Sequence, residues 1–446
     1  MAPARASLNA PKHPLLLPPF VLVALAAALC GSTLGAILIL RIQLALGPVD
    51  PLWKQVHGQA QVFGFLVPLV LGFGTYLVPR IVAGYPIRAG LAVPALAALS
   101  LATVANFLVP LAPGGLGLVL RRALALLVAS GALAGAACLE APMAARRREG
   151  DRRRGHEVLL QAALVFLALA GLVDGAAWWF SAGQPDADLL PGLASAAWRL
   201  AVEGFAAGMA FAISARMFSG FLGVEPAIGD PLGRKPAGPK GRDRVFAVAA
   251  WLWVASVALG AGGALWGSAP LERAADVLFA LGAVPLALRL GLASTAGGPA
   301  IDRTRDPLFP FGARAAYALL VAAALVGAIA GVADLLGFRV HSLWLDARRH
   351  LLNIGFLLTL IATMAGRLAP GFAGRPLALP GLRAFAVFAF AVSGALRGLE
   401  GIAGQWGPDG LFWLSALSGP LAAAAFFALA ATLGATLLAA KRQRSA

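Results

Sequence analysis

Of the five histidines in this 446-residue chain, only His57 and His350 fall inside stretches apolar enough to be membrane helices; His13 and His156 lie in flanking segments and His341 at a helix edge. A neutral imidazole is a good ligand for haem iron or copper. Two of them at the same depth on two helices of a bundle can clamp one haem, or hold one metal, between them. Gln59, Gln61 and Asn353 then serve as hydrogen-bonding neighbours of the ligands, and Arg199, Glu203 and Arg349 as charge partners of the bound group. The simpler alternative is a hydrogen-bonded core histidine at 57 and an interfacial one at 350, unrelated to each other.

These residues belong to three similar stretches. The first, Trp53 to Gly84, reads WKQVHGQAQVFGFLVPLVLGFGTYLVPRIVAG; the second is Trp198 to Gly223 and the third Arg349 to Gly374. Each is an apolar helix entered through polar residues. Aligned on Gly64-Phe65, Gly204-Phe205 and Gly355-Phe356, the anchors are 140 and 151 residues apart, and Gly84, Gly223 and Gly374 follow them by 19 or 20 residues. The last two copies also share Arg-x-x-x-Gly-Phe-x-Gly, at Arg216 and at Arg367. The pattern is that of three direct repeats.

Composition defines the medium. The chain is 60% hydrophobic and 13% charged, against about half and a quarter in soluble domains, and its 53 glycines suit helices packed closely in lipid. The expected fold class is an all-α polytopic membrane protein, one transmembrane domain over 1–446. Twelve apolar stretches, the first at 15–40 and the last at 410–439, are each long enough to cross roughly 30 Å of hydrocarbon. They form three four-helix repeats at about 15–145, 155–293 and 312–441. The first stretch lacks a convincing cleavage site and counts as a membrane helix. Cys30 and Cys138 lie in apolar runs and offer neither a disulfide framework nor a cysteine zinc site.

The net charge of +16 sits in short loops, which argues for membrane orientation and against nucleic-acid binding. Arg146–Arg148 with Arg152–Arg154, the loop 224–243 with its flank, and Lys441, Arg442 and Arg444 place those segments, and both termini, in the cytoplasm. The starts of the second, sixth and tenth spans then share the outer face. His57, Glu203 and His350 lie about 5 to 15 Å below it, joined by Asp174, Asp276, Asp334, Arg397 and Glu400. Ionisable groups inside a bilayer mark sites by default, because each must face the bundle interior, pair, or line a hydrated cavity; Arg199, Arg348 and Arg349 have the alternative of snorkelling to the headgroups. No nucleophile–base arrangement and no P-loop occurs. A transporter of a small solute, with this layer as its vestibule, is the alternative from another class, but direct threefold repeats are unlike the inverted or twofold repeats of such proteins.

His57 with Val62-Phe63-Gly64-Phe65 and Val78-Pro79-Arg80, the run Ser214 to Gly223, and His350 with Ala365-Gly366-Arg367 and Gly374-Arg375-Pro376-Leu377 resemble the signatures of the NnrS family of nitric-oxide-response membrane proteins. The twelve-span pattern more distantly resembles the catalytic subunit of haem-copper oxidases. The resemblance implies a multi-pass protein of the bacterial inner membrane, associated with haem or, second to it, copper, and linked to nitric oxide or nitrosative stress. Two departures matter. No histidine stands in the sixth or seventh span, where the oxidases hold copper, so oxygen reduction is not expected. The second histidine and the acidic residue usual after the first histidine of NnrS proteins are replaced here by Gln59 and Ala60.

Overall fold

The computed structural model describes residues 16–44, 46–82, 85–148, 155–182, 190–222, 240–292, 306–407 and 409–444. Gly84, Gly223, Arg152–Arg154 and most of the loop 224–243 lie outside them. Among the described residues the chain is helical throughout, with no strand. The helices are α1 (Leu17–Gln43), α2 (Pro51–Ile81), α3 (Ala89–Leu108), α4 (Gly114–Arg148), α5 (Gly155–Ser181), α6 (Pro191–Phe218), α7 (Lys240–Trp266), α8 (Ala269–Ala287), α9 (Leu308–Leu335), α10 (Leu343–Ala373), α11 (Pro380–Trp406) and α12 (Leu411–Leu438).

Eleven of these are long and apolar enough to cross a membrane. The twelfth expected span, 271–293, is helical as α8, but Glu272, Arg273 and Asp276 crowd its first turns and Arg289 follows its end, so by composition it does not stand with the others. Large apolar side chains remain exposed along many helices, among them Val93, Leu101, Val104, Trp251 and Ile329. In water such a surface would be an aggregation hazard; in hydrocarbon it is the ordinary lipid-facing side of a span.

In α2, α6 and α10 the helix widens from α to π geometry over Ala60–Leu66, Arg199–Ala206 and Leu351–Leu358. Each Gly-Phe pair lies inside one of these segments. Phe65, Phe205 and Phe356 are all buried, at 1%, 0% and 0% exposure. A π turn holds one extra residue and interrupts the regular hydrogen-bond ladder, a costly feature that is found most often at functional sites. The polar residues singled out above cluster in or just before these turns.

Two compact units divide the chain, one comprising residues up to 27 together with 59–213, the other 28–58 together with 214 onwards. Small residues set the packing within each. In the first unit a Cβ added at Gly175 on α5 would lie 2.8 Å from the Ala125 carbonyl oxygen of α4. In the second, the α11 backbone at Gly394 comes so near α10 that an added Cβ would overlap Cα of Gly355. That approach explains Gly394, while at Gly355, the glycine of the third Gly-Phe pair, an added Cβ would meet Leu319 of α9 at 3.1 Å. Gly374, the closing glycine of the third stretch, caps α10 in the left-handed conformation at φ +65°, which only glycine adopts without strain.

Gly394→Ala should therefore destabilise the protein by about 1 to 3 kcal/mol, the cost of forcing extra volume into a packed contact. Gly434→Ala, where a Cβ meets nothing within 4 Å, should stay within about 0.5 kcal/mol of the parent. Thermal unfolding of the two variants in detergent checks the difference.

Candidate functional site

The second unit holds both intrahelical histidines. His57, on the first turns of α2, places Nδ1 2.8 Å from the Gly31 carbonyl of α1. Its ring lies close against Gly35, one turn further along α1, where any side chain would overlap Cε1 of the imidazole. His350, at the end of the first two turns of α10, places Nδ1 2.8 Å from the Asp346 carbonyl. A carbonyl can only accept, so in each ring Nδ1 carries the proton and Nε2 the lone pair. The two imidazoles are within electrostatic reach of each other and share Asp346 and Arg397 as charged neighbours.

Around His350 stands a cluster from two helices. Asp346, one turn before it, directs Oδ2 to 3.9 Å from its Nδ1. From α11, Arg397 donates through Nη2 to Asp346 Oδ2 at 3.1 Å, and that nitrogen lies 3.3 Å from Nε2 and 3.4 Å from Nδ1 of His350. Its Nη1 is 3.0 Å from Glu400 Oε1, an ion pair one turn along the same helix. One ligand atom from each of Asp346, His350 and Glu400 lies within 4.8 Å of the others. Lys54 and Arg349 are further positive charges around Asp346. Arg397 and Glu400 are 8% and 5% exposed, while the Asp346 side chain is 41% exposed, so the cluster grades from a wet rim to a buried floor. Asn353, three residues beyond His350 in the π turn, has a buried Oδ1 with no hydrogen-bond partner.

The other expected site residues fall in the first unit. Arg199 and Glu203 form an i,i+4 ion pair of 3.4 Å, at 4% and 1% exposure. Gln61 has its Nε2 buried without a hydrogen-bond partner. Gln59 donates to Asp174 Oδ2 on α5 at 2.8 Å, which gives both residues a structural task within that unit. The expected set is thus divided: His57, His350, Arg349 and Asn353 in one unit, Gln61, Arg199 and Glu203 in the other.

Snorkelling does not describe Arg199 or Arg348, which are 4% and 2% exposed. Arg348 reaches the buried Asp276 at 3.5 Å, and the partly exposed Arg273 lies 3.8 Å from Asp276 and 2.7 Å from Asp334, so the acidic residues of α8 and α9 belong to one ion-pair network with α10. The residue that sequence reasoning passed over is Asp346. Its signal was present: Asp346 and His350 are spaced i,i+4 and Arg397 and Glu400 i,i+3, both spacings that put side chains on one helix face.

A buried ion pair broken on one side leaves a stranded charge. Glu203→Leu should cost about 3 to 5 kcal/mol, whereas Arg199→Met with Glu203→Leu should recover most of the loss, since replacing a buried pair by apolar residues is often neutral. A double-mutant cycle by thermal or denaturant unfolding reads the coupling. No family model matches the chain, and no curated protein matches it.

Proposed function

We propose that this chain is a haem- or metal-binding protein of the bacterial inner membrane, linked to nitric oxide or nitrosative stress, with His57 and His350 as its imidazole donors. One observation carries the reading: both rings are fixed by an Nδ1–H bond to a backbone carbonyl, which leaves Nε2 as the donor. That arrangement is the usual support of a metal-ligating histidine, because it sets tautomer and ring orientation together. The rings belong to one unit and share Asp346 and Arg397 as charged neighbours. The donor set fits iron or copper, both of which take imidazole nitrogen.

Other residues of the same unit suit the surroundings of such a group. Arg349 and Arg397 offer positive charge to the carboxylates of a haem, and the open Oδ1 of Asn353 is an acceptor for a ligand or a water. Iron or copper held there supplies affinity for nitric oxide and one-electron redox change. Arg199 and Glu203 pair with each other in the other unit. The three-repeat reading, with twelve spans and cytoplasmic termini, belongs to this proposal. Its support is the recurrence of a π turn at each Gly-Phe pair. The glycine stands four, five and four residues after the start of the three segments, whereas the further π segment Leu288–Leu292 holds no Gly-Phe pair.

The visible absorption spectrum of the purified protein tests the reading. A Soret band is expected, and His57→Ala and His350→Ala should each bleach or shift it, while His156→Ala and His341→Ala should leave it unchanged. Protein with neither a Soret band nor bound iron or copper would overturn the assignment.

A further inference from the structure

We propose that Asp346, His350 and Glu400 form a binding site for one divalent metal ion of the zinc or manganese class, and that the Arg397 guanidinium is a built-in cation competing for the same three ligands. The inference rests on the metal-ligand reading of His350, but neither on haem nor on His57.

The geometry supports a cation at this point. One nitrogen and two carboxylates are the mixed donor set that zinc, manganese and ferrous iron accept. Their ligand atoms already lie within 4.8 Å of one another. Bonds of about 2.0 to 2.2 Å put neighbouring ligands of a tetrahedral ion roughly 3.3 to 3.6 Å apart, so closure requires side-chain adjustments of about 1 Å. The ligands sit on helices: Asp346 and His350 on one face of α10, Glu400 on α11, whose backbones meet at Gly355 and Gly394. Elements so closely packed hold a site more firmly than a loop does.

The guanidinium is an imperfect occupant. Arg397 bridges the cluster at 3.1 Å to Asp346, 3.3 Å to His350 Nε2 and 3.0 Å to Glu400. Yet its Nε and Nη1, and Oε2 of Glu400, are buried without a hydrogen bond. A planar fork with five fixed donors cannot match three acceptors that converge from two helices; a spherical ion can. The half-exposed Asp346 side chain gives a cation access from the helix ends to the buried Glu400. Binding requires Arg397 to withdraw, so the resting ion pair sets the affinity of the site.

The test uses the full-length protein in detergent. Its spectrum is recorded first; protein freed of haem and stripped with EDTA is then titrated calorimetrically with Zn2+ and, separately, Mn2+. About one ion per chain is expected for at least one metal, with affinity lowered tenfold or more in Asp346→Asn and Glu400→Gln. Arg397→Gln, which removes the competing cation, should bind about tenfold more tightly, and the metal should raise its unfolding temperature reversibly. Should a carboxylate variant not fold, the contrast between parent and Arg397→Gln still decides the matter. No saturable binding to either, or binding unaltered in a folded Asp346→Asn or Glu400→Gln, would overturn the proposal. So would binding of inorganic phosphate that Arg397→Gln abolishes, with no cation bound, because Arg397 would then be an anion anchor. A Soret band without cation binding would sink this inference and leave the haem reading standing; cation binding without any Soret band would do the reverse.

Discussion

Charge neutralisation inside a low-dielectric bundle is the constraint on which the structure depends. An ionised group facing hydrocarbon costs several kcal/mol, and many buried charges among the described residues meet the requirement by pairing internally. Arg199 answers Glu203, Arg348 and Arg273 answer Asp276 and Asp334, and Arg383 is bound at 2.8 Å by Asp306. Arg146 and Glu157 likewise pair with each other. Each pair ties helices, or turns of one helix, into register and so does work that apolar packing alone would leave undefined. Large apolar side chains, by contrast, stay exposed along many of the helices.

The cluster at Arg397 brings one guanidinium against two carboxylates and an imidazole. Arg383 makes three directed bonds, to Asp306 and to the carbonyls of Ala362 and Thr363, and its place is fixed. Arg397 spreads over Asp346, His350 and Glu400 and leaves donors unused. An unused buried donor or acceptor costs about 1 to 3 kcal/mol, a cost borne at Arg397 and Glu400 as well as at Oδ2 of Asp306. Arg397 also lies beside an imidazole whose Nδ1 is held by a backbone carbonyl, in the same unit as a second imidazole held in the same way.

Much of this was legible in the sequence because the bilayer imposes coarse rules. Helix type, the position of nearly every span and the importance of the Gly-Phe anchors follow from apolar run length and residue size. The π turns did not, since one extra residue per turn leaves no compositional trace; only the recurrent glycine beside a buried phenylalanine hinted at special geometry. Depth along a helix was readable for His57, Glu203 and His350, but angular direction was not. Glu203 therefore seemed a companion of the histidines, whereas it pairs with Arg199 in the other unit. Asp346 was missed for the converse reason: at the end of a helix it reads as an ordinary first-turn carboxylate, and its meaning emerges only when α11 brings Arg397 and Glu400 beside it.

The central claim is that His350 and His57 are imidazole donors to a metal. X-ray absorption at the metal edge, on protein purified without added metal, tests it most directly. The account predicts about one transition-metal ion per chain, with the multiple-scattering signature of imidazole and a loss of nitrogen scattering in His350→Ala. A metal-free protein, or a metal whose spectrum is the same in parent, His57→Ala and His350→Ala, would contradict it.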